Sequence, residues 1–505
     1  MNFVEKNDII NLLNNSKKEG MPKMNTINRQ NVLEANSSKR NVDILFIIPP
    51  FHRRNGGGSF FPLGLGYIIS AIKSSGYSWE VINCTEYIHS LFPKNLDKLF
   101  HELKNILSDY NPTVIGIGPC VTTQLRALEI ISRICKEMFP NVPFFAGGPL
   151  PSIENQEWVF YDKLGIDYLI KGDGELAVVD VIRVVKDGKD ISKCKYVSYC
   201  GYSYINFIDN IDEIPFPYRP FSEKDKFSIR RSGDFMVQAA MITSRGCPYS
   251  CSYCVSGGMK HNNIKYRKRS VKNIVDEMTM LYENNGINDI VFYDDCFFHS
   301  AKTVNADILK FCSELESRDL KVKWQIEMRP DVFCCLSDQS IRLLQKSGCR
   351  QISLGIEKVS SAALSFLGKQ NCWSNLGTQI NKIKWLSDIS ISATFILGGK
   401  NETEADIIDL INKSKELDLD FAHYNPLFIY PGTSLYNTVF SDEREWVHVI
   451  FEDQLPWGEI VYENEYLSKD KLLELVDYAY AEFYSGTPYA EQEMVYDRFN
   501  LKQGE

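Results

Sequence analysis

The stretch Met241–Gly258, MITSRGCPYSCSYCVSGG, carries three cysteines, Cys247, Cys251 and Cys254, in a C-x3-C-x2-C spacing. Three thiolates on one tight loop can hold three corners of a cubane iron–sulfur cluster, which normally takes four cysteine ligands. The iron at the fourth corner then stays open to bind and activate a small molecule. We therefore predict a reaction centre on this loop, directly after a strand.

The residues that follow the loop alternate apolar runs typical of strands with runs at helical spacing, such as Val271–Asn284. Ser270 is placed to cap that first helix. Six strand–helix units favour a partial (β/α)6 barrel, in which chemistry lies at the carboxyl ends of the strands. The predicted strands are Met241–Ser244, Asp289–Tyr293, Val322–Glu327, Gln351–Ile356, Ser392–Leu397 and Phe421–Leu427.

A second alternation precedes the loop. It begins with the continuous apolar run Asn41–Pro50, which is typical of a buried parallel strand. Strands alternating with helices indicate a doubly wound, Rossmann-like sheet, whose ligands bind at the carboxyl ends of the strands. Further strands are predicted at Trp79–Asn83, Thr113–Ile117, Pro143–Ala146 and Tyr168–Ile170, with helices at Asp97–Leu107 and Leu125–Met138.

Composition restricts the class of protein. The 505 residues predict several domains, and a net charge of -9 argues against a nucleic-acid partner. We find neither an apolar run of membrane-spanning length nor a signal peptide, so we expect a cytoplasmic protein that binds no membrane. Its 14 cysteines then belong to a reducing compartment. The predicted division is an N-terminal arm (1–40), the first sheet (41–188), a linker (189–238), the barrel (239–440) and a helical C-terminal region (441–505).

The cysteine spacing, with Tyr253 before the last cysteine, resembles the radical S-adenosylmethionine enzymes. The later stretches IVFYDDCFF, LGIEKVSS, FILGGKNETE and FIYPGTSLY resemble strand-end motifs of the subgroup that joins a cobalamin-binding domain to the radical barrel. Upstream, FFPLGLGYIISAIKSSGY, GIGPCVTT and FFAGGPLPS are similar to that cobalamin-binding domain, so the resemblance covers residues 41–440 and a helical tail that ends in AEFYSGTPY. It implies three cofactors: a [4Fe–4S] cluster, S-adenosylmethionine and cobalamin.

The resemblance also implies roles for strand-end residues. Asp294 and Asp295 end the second strand, where the family binds the methionine amine. Adjacent strand residues face opposite sides, so only one can face the pocket, and we expect Asp295. Ordinary solvated carboxylates are the alternative. The remaining residues expected to bind S-adenosylmethionine are Glu357 at a ribose hydroxyl, Glu327 and Arg329 beside it, Gly398 and Gly399 (otherwise a plain tight turn) at the adenine, and Tyr253.

For cobalamin, the resemblance implicates the loops at the strand ends of the first sheet. His52 stands near the position of a lower cobalt ligand, but Pro50 and Asn55 replace the Asp and Gly of the D-x-H-x-x-G motif. The alternative is a loop histidine with the lower face of cobalt unligated. The expected contacts are Gly64, Gly66, Thr122, Thr123, Gly147, Gly148 and Gly172 through Glu175.

The activity implied is methyl transfer from methylcobalamin to an unactivated carbon of a small molecule or peptide, by way of a 5′-deoxyadenosyl radical. Alternatives are a radical rearrangement, ring contraction or cyclisation, a tRNA methylthiotransferase-like enzyme, and a non-enzymatic metal-binding module with His261 as a zinc ligand. A flavodoxin- or ferredoxin-type protein is the expected electron donor. The basic run KYRKRS (265–270) either docks that donor or is a solvated helix entry.

Overall fold

A computed structural model describes residues 39–50, 61–86, 93–220, 227–231, 234–257, 265–369, 373–442, 444–452 and 460–487. Two large sheets organise these residues, and helices cover both. One sheet has six strands and the other has seven. The α/β fold class predicted from the sequence is thereby confirmed.

The first sheet is entirely parallel, in the order β2-β1-β3-β4-β5-β6. The chain leaves β1 for β2 on one side and then crosses to β3 on the other, which opens a crevice at the carboxyl ends of β1 and β3. Its strands are β1 (Arg40–Ile48), β2 (Trp79–Asn83), β3 (Tyr110–Ile117), β4 (Phe144–Gly147), β5 (Tyr168–Gly172) and β6 (Ile205–Asn206). Its helices are α1 (Leu63–Ser74), α2 (Pro93–Leu107), α3 (Leu125–Met138) and α4 (Glu175–Lys186).

The second sheet has six parallel strands in the order β15-β14-β13-β12-β11-β8, with β7 added antiparallel at the edge. This is the predicted partial barrel. The strands of this half of the chain are β7 (Phe227–Arg231), β8 (Asp234–Met241), β9 (Ser244–Arg245), β10 (Arg267–Lys268), β11 (Asp289–Phe292), β12 (Lys323–Met328), β13 (Cys349–Glu357), β14 (Ser390–Leu397), β15 (Phe421–Pro426), β16 (Phe428–Ile429) and β17 (Ile460–Val461).

Helices connect the barrel strands and form the C-terminal region. The first of them is capped as predicted, because the Ser270 hydroxyl accepts a hydrogen bond from the Asn273 amide at 3.2 Å. The helices are α5 (Val271–Asn285), α6 (Val304–Ser317), α7 (Pro330–Phe333), α8 (Asp338–Lys346), α9 (Ser361–Phe366), α10 (Trp373–Leu386), α11 (Glu404–Glu416), α12 (Tyr436–Val439), α13 (Glu445–Glu452) and α14 (Lys469–Tyr484).

The first barrel strand corrects one prediction. The strand predicted at Met241–Ser244 ends at Met241 instead, because β8 pairs with β11 through Gln238 and the three residues after it. Gln238 is buried there and bonds to Asp289, so a polar residue in the strand interior hid the strand from its sequence pattern.

The predicted linker is built into both sheets. Within it, β6 extends the first sheet, and β7 with most of β8 extends the second. Residues 205–219, which we call the bridging segment, also contact both halves. The Tyr218 amide donates to the carbonyl of Gly66 at 2.9 Å, and Arg219 pairs with the fully buried Glu277 at 2.6 Å.

One apolar core crosses from the first sheet into the barrel. Buried residues of α3 and β4 belong to the same cluster as Leu367, Ile396 and Leu427 of the barrel. Trp446 of α13 joins this cluster, and its indole N–H donates to Gln156 at 2.7 Å. The two halves therefore pack as one body rather than as separate domains on a tether. Among the helices of the described ranges, we find none with the length and apolar character needed to cross a bilayer.

Candidate active site

The cysteine loop lies at the carboxyl end of the barrel and is fastened by its backbone. Gly246 introduces it with a φ of +77°, a conformation that side chains disfavour. Ser252 then forms three bonds: its amide donates to Leu367 at 3.0 Å, its hydroxyl to Phe366 at 2.8 Å, and its carbonyl accepts from Leu435 at 2.8 Å. The loop is therefore held in place by two other segments of the chain.

The three thiols of this loop, Cys247, Cys251 and Cys254, are half-buried. A hydrogen bond with the thiol of Cys296 is the main reason that the pKa of Cys247 falls to about 7. Burial raises the pKa of Cys251 and of Cys254. The guanidinium of Arg329 lies 4.0 Å from the Cys251 sulfur and is a cation able to stabilise a thiolate. Among the described residues the three thiols do not already converge as a metal-binding group. Their chemistry, their place on one loop and the cation beside Cys251 are what suit them to an iron–sulfur cluster.

Glu357, at the end of β13, is held rigidly beside the cysteine loop. Tyr253 donates its hydroxyl to Glu357 Oε1 at 2.9 Å, and Lys369 donates to the same oxygen at 2.8 Å. The backbone of Glu357 has a φ of +65°, which is uncommon for a residue with a side chain. The position predicted for a ribose contact is thus a preorganised carboxylate.

The two adjacent aspartates at the end of β11 serve different purposes. Asp294 is 3% exposed, and it accepts bonds from the Thr243 amide and hydroxyl and from the Ser244 hydroxyl. Its carboxylate thus anchors the start of the cysteine loop, and a cofactor contact by Asp294 stays a prediction. Asp295 is exposed at the strand end, with Ser256 as its hydrogen-bond partner. Asp295 is therefore the more open of the two aspartates, and its contact with a ligand stays a prediction.

Glu327 and Arg329 lie at the end of the next strand, β12. Glu327 is exposed, and its pKa is raised by withdrawal from water and by the charges of Glu357 and Asp295. The Arg329 guanidinium lies 3.7 Å from the centre of the Tyr249 ring. The predicted site residues of β11, β12 and β13 thus share one edge of the barrel with the cysteine loop.

Gly398 and Gly399 follow β14 in a loop that other residues shape. Lys358 is fully buried, and its ammonium donates to the Gly398 carbonyl at 2.7 Å and pairs with Glu402 at 2.5 Å. A Cβ on Gly398 would lie 2.9 Å from Leu472, so this glycine is needed where α14 packs. Access of adenine to this loop stays a prediction.

Among the described residues, two glycines lie at the β4 side of the crevice of the first sheet. Gly147 is the last residue of β4 and Gly148 follows it, and a Cβ on Gly148 would collide with the backbone of Cys120. Gln124 is fully buried beside the crevice and bridges the loops after β1 and β3, since its amide donates to the Pro49 carbonyl at 3.3 Å. Ser152 joins the loops after β4 and β5 in the same way. Gln124 and Ser152 carry no sequence signal that could have identified them.

The other predicted cobalamin contacts differ in how exposed they are. Gly64 is exposed, and a Cβ added to it would meet nothing within 4 Å, whereas Gly66 is buried against Tyr218. The predicted cobalamin contact of Gly66 stays a prediction. Thr122 is 8% exposed. A Cβ on Gly172 would meet the carbonyl of Asn206, which makes Gly172 a packing position as well as a loop position. His52 and His261 lie outside the described residues.

Glu175, another predicted cobalamin contact, is engaged by the protein through only one of its two carboxylate oxygens. Its Oε1 is occupied by Arg245 at 2.5 Å, and Arg245 also bonds to Asp173 at 2.7 Å. Glu175 Oε2 is buried and has no hydrogen-bond partner among the described residues. Arg267 pairs with Asp173, and Arg269 with Glu277, so two cations of the basic run 265–270 are used internally. That run therefore offers less free charge to an electron donor than its sequence indicated.

Comparisons with known proteins match both halves of the chain. The model of the radical SAM superfamily matches residues 241–413, and the model of the B12 binding domain matches residues 53–182. The chain belongs to the cobalamin-dependent radical SAM family. Membership implies a [4Fe–4S] cluster and S-adenosylmethionine in the barrel and cobalamin on the first sheet.

Similar proteins agree with this family. A Pyrococcus horikoshii protein named an uncharacterized methyltransferase is 25% identical over 78% of this chain and 82% of its own length. An anaerobic magnesium-protoporphyrin IX monomethyl ester cyclase of Cereibacter sphaeroides is 25% identical over 87% of this chain and 70% of its own length. The solved structure of the cobalamin-dependent S-adenosylmethionine radical enzyme OxsB, with aqua-cobalamin and S-adenosylmethionine bound, has a TM-score of 0.63 at 15% identity and covers 90% of this chain and 70% of that one.

The residues present fit the family's cofactors. The half-buried thiols suit a cluster, and the open Asp295 suits an amine. The glycine-lined crevice beside Gly147 suits a large planar ligand, and the orphaned Oε2 of Glu175 is an acceptor available to its amide groups. One residue that bears on these sites, Lys369, was missed from the sequence because it meets Glu357 only in the fold.

Proposed function

We propose that this protein is a cobalamin-dependent radical S-adenosylmethionine C-methyltransferase, which adds a methyl group to an unactivated carbon of a small molecule or peptide. The observation that carries the proposal is the direct junction of the two cofactor regions, where Arg245 of the cysteine-loop segment bonds to Glu175 of the first sheet. The proposal places the substrate between the two cofactor regions. When bound, the cluster and S-adenosylmethionine supply a 5′-deoxyadenosyl radical, and cobalamin supplies the methyl group.

The side chains of this pocket bind and orient. Glu357, fixed by Tyr253 and Lys369, accepts hydrogen bonds from a ribose. Asp295 accepts from the methionine amine, and Glu327 adds negative charge that favours the cationic cofactor. Preorganised partners of this kind reduce the conformational freedom that binding would otherwise have to remove.

The second candidate function is a radical cyclisation or rearrangement, which would use the same fold and cofactors without methyl transfer. The cyclase of Cereibacter sphaeroides favours this candidate, because its match extends over 87% of the chain. A flavodoxin- or ferredoxin-type protein is the proposed electron donor in both cases.

The test needs no knowledge of the substrate. Anaerobically reconstituted protein is incubated with S-adenosylmethionine, cobalamin and a chemical reductant, and the nucleoside products are separated. A methyltransferase is expected to form S-adenosylhomocysteine, because charging the cobalamin consumes one S-adenosylmethionine. Formation of 5′-deoxyadenosine with no S-adenosylhomocysteine would favour the second candidate.

The control is the variant Cys247→Ala/Cys251→Ala/Cys254→Ala. It is expected to lose its iron and all 5′-deoxyadenosine formation. Retention of iron at the wild-type level would contradict the assignment of the cluster to this loop.

A further inference from the structure

A buried ionic network joins the first sheet to the barrel. Asp173 lies on the loop between β5 and α4, and Glu175 is the first residue of α4. Arg245 bonds to both of them, at 2.7 and 2.5 Å. Arg267 also pairs with Asp173, and Asp173 accepts in addition from the Ile208 amide at 2.8 Å. The side chains of Arg245, Asp173 and Glu175 are 15%, 7% and 4% exposed. We call these four charged residues the interface network.

The interface network connects two loops that bear on cofactors. Arg245 is separated from Cys247 by Gly246 alone. Glu175 is the first residue of the helix that follows β5, at the carboxyl edge of the first sheet. One guanidinium is therefore bonded to the corrinoid side of the molecule and lies two residues from the first cluster ligand.

A second buried arginine shows what an ordinary structural pair looks like in the same protein. Arg350 bonds to Asp289 at 2.6 and 2.9 Å, and their side chains are 10% and 0% exposed. Asp289 begins β11 and Arg350 is the second residue of β13, so both lie away from the carboxyl ends of the strands. Arg350 thus matches Arg245 in burial and in its two bonds, but not in location.

We propose that Arg245 is a positioning residue that holds cobalamin at one fixed place relative to the iron–sulfur cluster. Its planar guanidinium binds two different carboxylates at once, which a lysine cannot do with the same geometry. The bond to Glu175 fixes the corrinoid edge and the bond to Asp173 fixes the loop behind it, while Cys247 follows Arg245 by only two residues. The inference rests on the two cofactors and goes beyond the proposed methyl transfer.

The test compares Arg245→Lys and Glu175→Gln with the matched control Arg350→Lys. Each full-length variant is reconstituted with cluster and cob(II)alamin, and the cluster is then reduced. The measurement is the magnetic splitting of the cob(II)alamin EPR signal by the reduced cluster, together with iron and cobalt content. Such splitting depends steeply on the separation and orientation of the two centres.

We expect the wild type and Arg350→Lys to show one well-defined splitting. Arg245→Lys and Glu175→Gln are expected to show a distribution at least about twofold broader, because one of the two fixed contacts is lost. Splitting as sharp as in the wild type in both variants would overturn the proposal, and so would equal broadening in Arg350→Lys.

Two further arms keep the outcome decisive. Glu175→Gln is isosteric and preserves the Asp173–Arg245 pair, so it decides the matter if Arg245→Lys does not fold. The EPR measurement is made without substrate or turnover. If no S-adenosylhomocysteine is formed, the proposed function fails while the positioning role of Arg245 can still stand.

Discussion

Gly432 lies in the turn after β16 and packs against Ile153 in the first half of the chain. Its replacement by alanine tests the packing between the two halves. A Cβ on Gly432 would lie less than 3.0 Å from Ile153 Cγ2 and 3.5 Å from Ile153 Cβ. Ile153 is 4% exposed and belongs to the shared core, so it has no space into which to move. The backbone φ of Gly432 is +76°.

The expected cost has two parts. Alanine in a left-handed conformation costs about 1–2 kcal/mol, and overpacking a rigid core site costs about 1–3 kcal/mol more. We therefore expect Gly432→Ala to lower the free energy of unfolding by about 2–5 kcal/mol. Gly76 supplies the matched control, because its φ is +77° and nothing lies within 4 Å of its added Cβ. Gly76→Ala should show the backbone part alone.

The assay is urea unfolding followed by intrinsic fluorescence, with the same two changes repeated in an Ile153→Ala background. Removal of the Ile153 side chain should reduce the cost of Gly432→Ala to that of Gly76→Ala, because only the steric part depends on Ile153. If the two glycine variants agree within about 0.5 kcal/mol in the wild-type background, or if Ile153→Ala leaves their difference unchanged, the close approach is not real.

The neighbouring aspartates and Tyr253 yield two further expectations. Asp294→Asn should lose about 2 kcal/mol of stability and some iron, because it weakens the anchor of the cysteine loop, whereas Asp295→Asn should keep both and weaken S-adenosylmethionine binding; thermal unfolding and equilibrium dialysis would reveal the reverse pattern if the two roles are exchanged. Tyr253→Phe removes one hydrogen bond to Glu357 and should weaken S-adenosylmethionine binding by about 3–10-fold with iron content unchanged, and an unaltered affinity would show that Glu357 does not need this partner.

Much of the fold was accessible from the sequence because parallel strands buried on both faces are written as short apolar runs between turn residues. Five of the six parallel barrel strands were anticipated, as were β1 to β5. The exception, β8, contains Gln238, whose side chain is satisfied by Asp289 only once the sheet has formed. A local sequence pattern cannot show that a buried polar residue has a hydrogen-bond partner 51 positions away.

The candidate site, like the fold, was only partly predictable from the sequence. The cysteines are recognisable by their spacing, and the alternation of a strand implies that only one of Asp294 and Asp295 faces the pocket. In contrast, Glu175 was predicted to face a ligand because of its place after a glycine loop. Its engagement by Arg245 depends on how two sheets meet, which no short stretch of sequence encodes.

The bridging segment has a consequence for exchanging parts between relatives. It contributes β6 to the first sheet, the Tyr218 amide bonds to the Gly66 carbonyl, and Arg219 bonds to Glu277 of the barrel. A chimera joined anywhere inside residues 205–219 would divide these contacts between two parents. A cobalamin-binding half from another family member should therefore be inherited together with this segment and with the arginines that it meets, as a single exchangeable cassette.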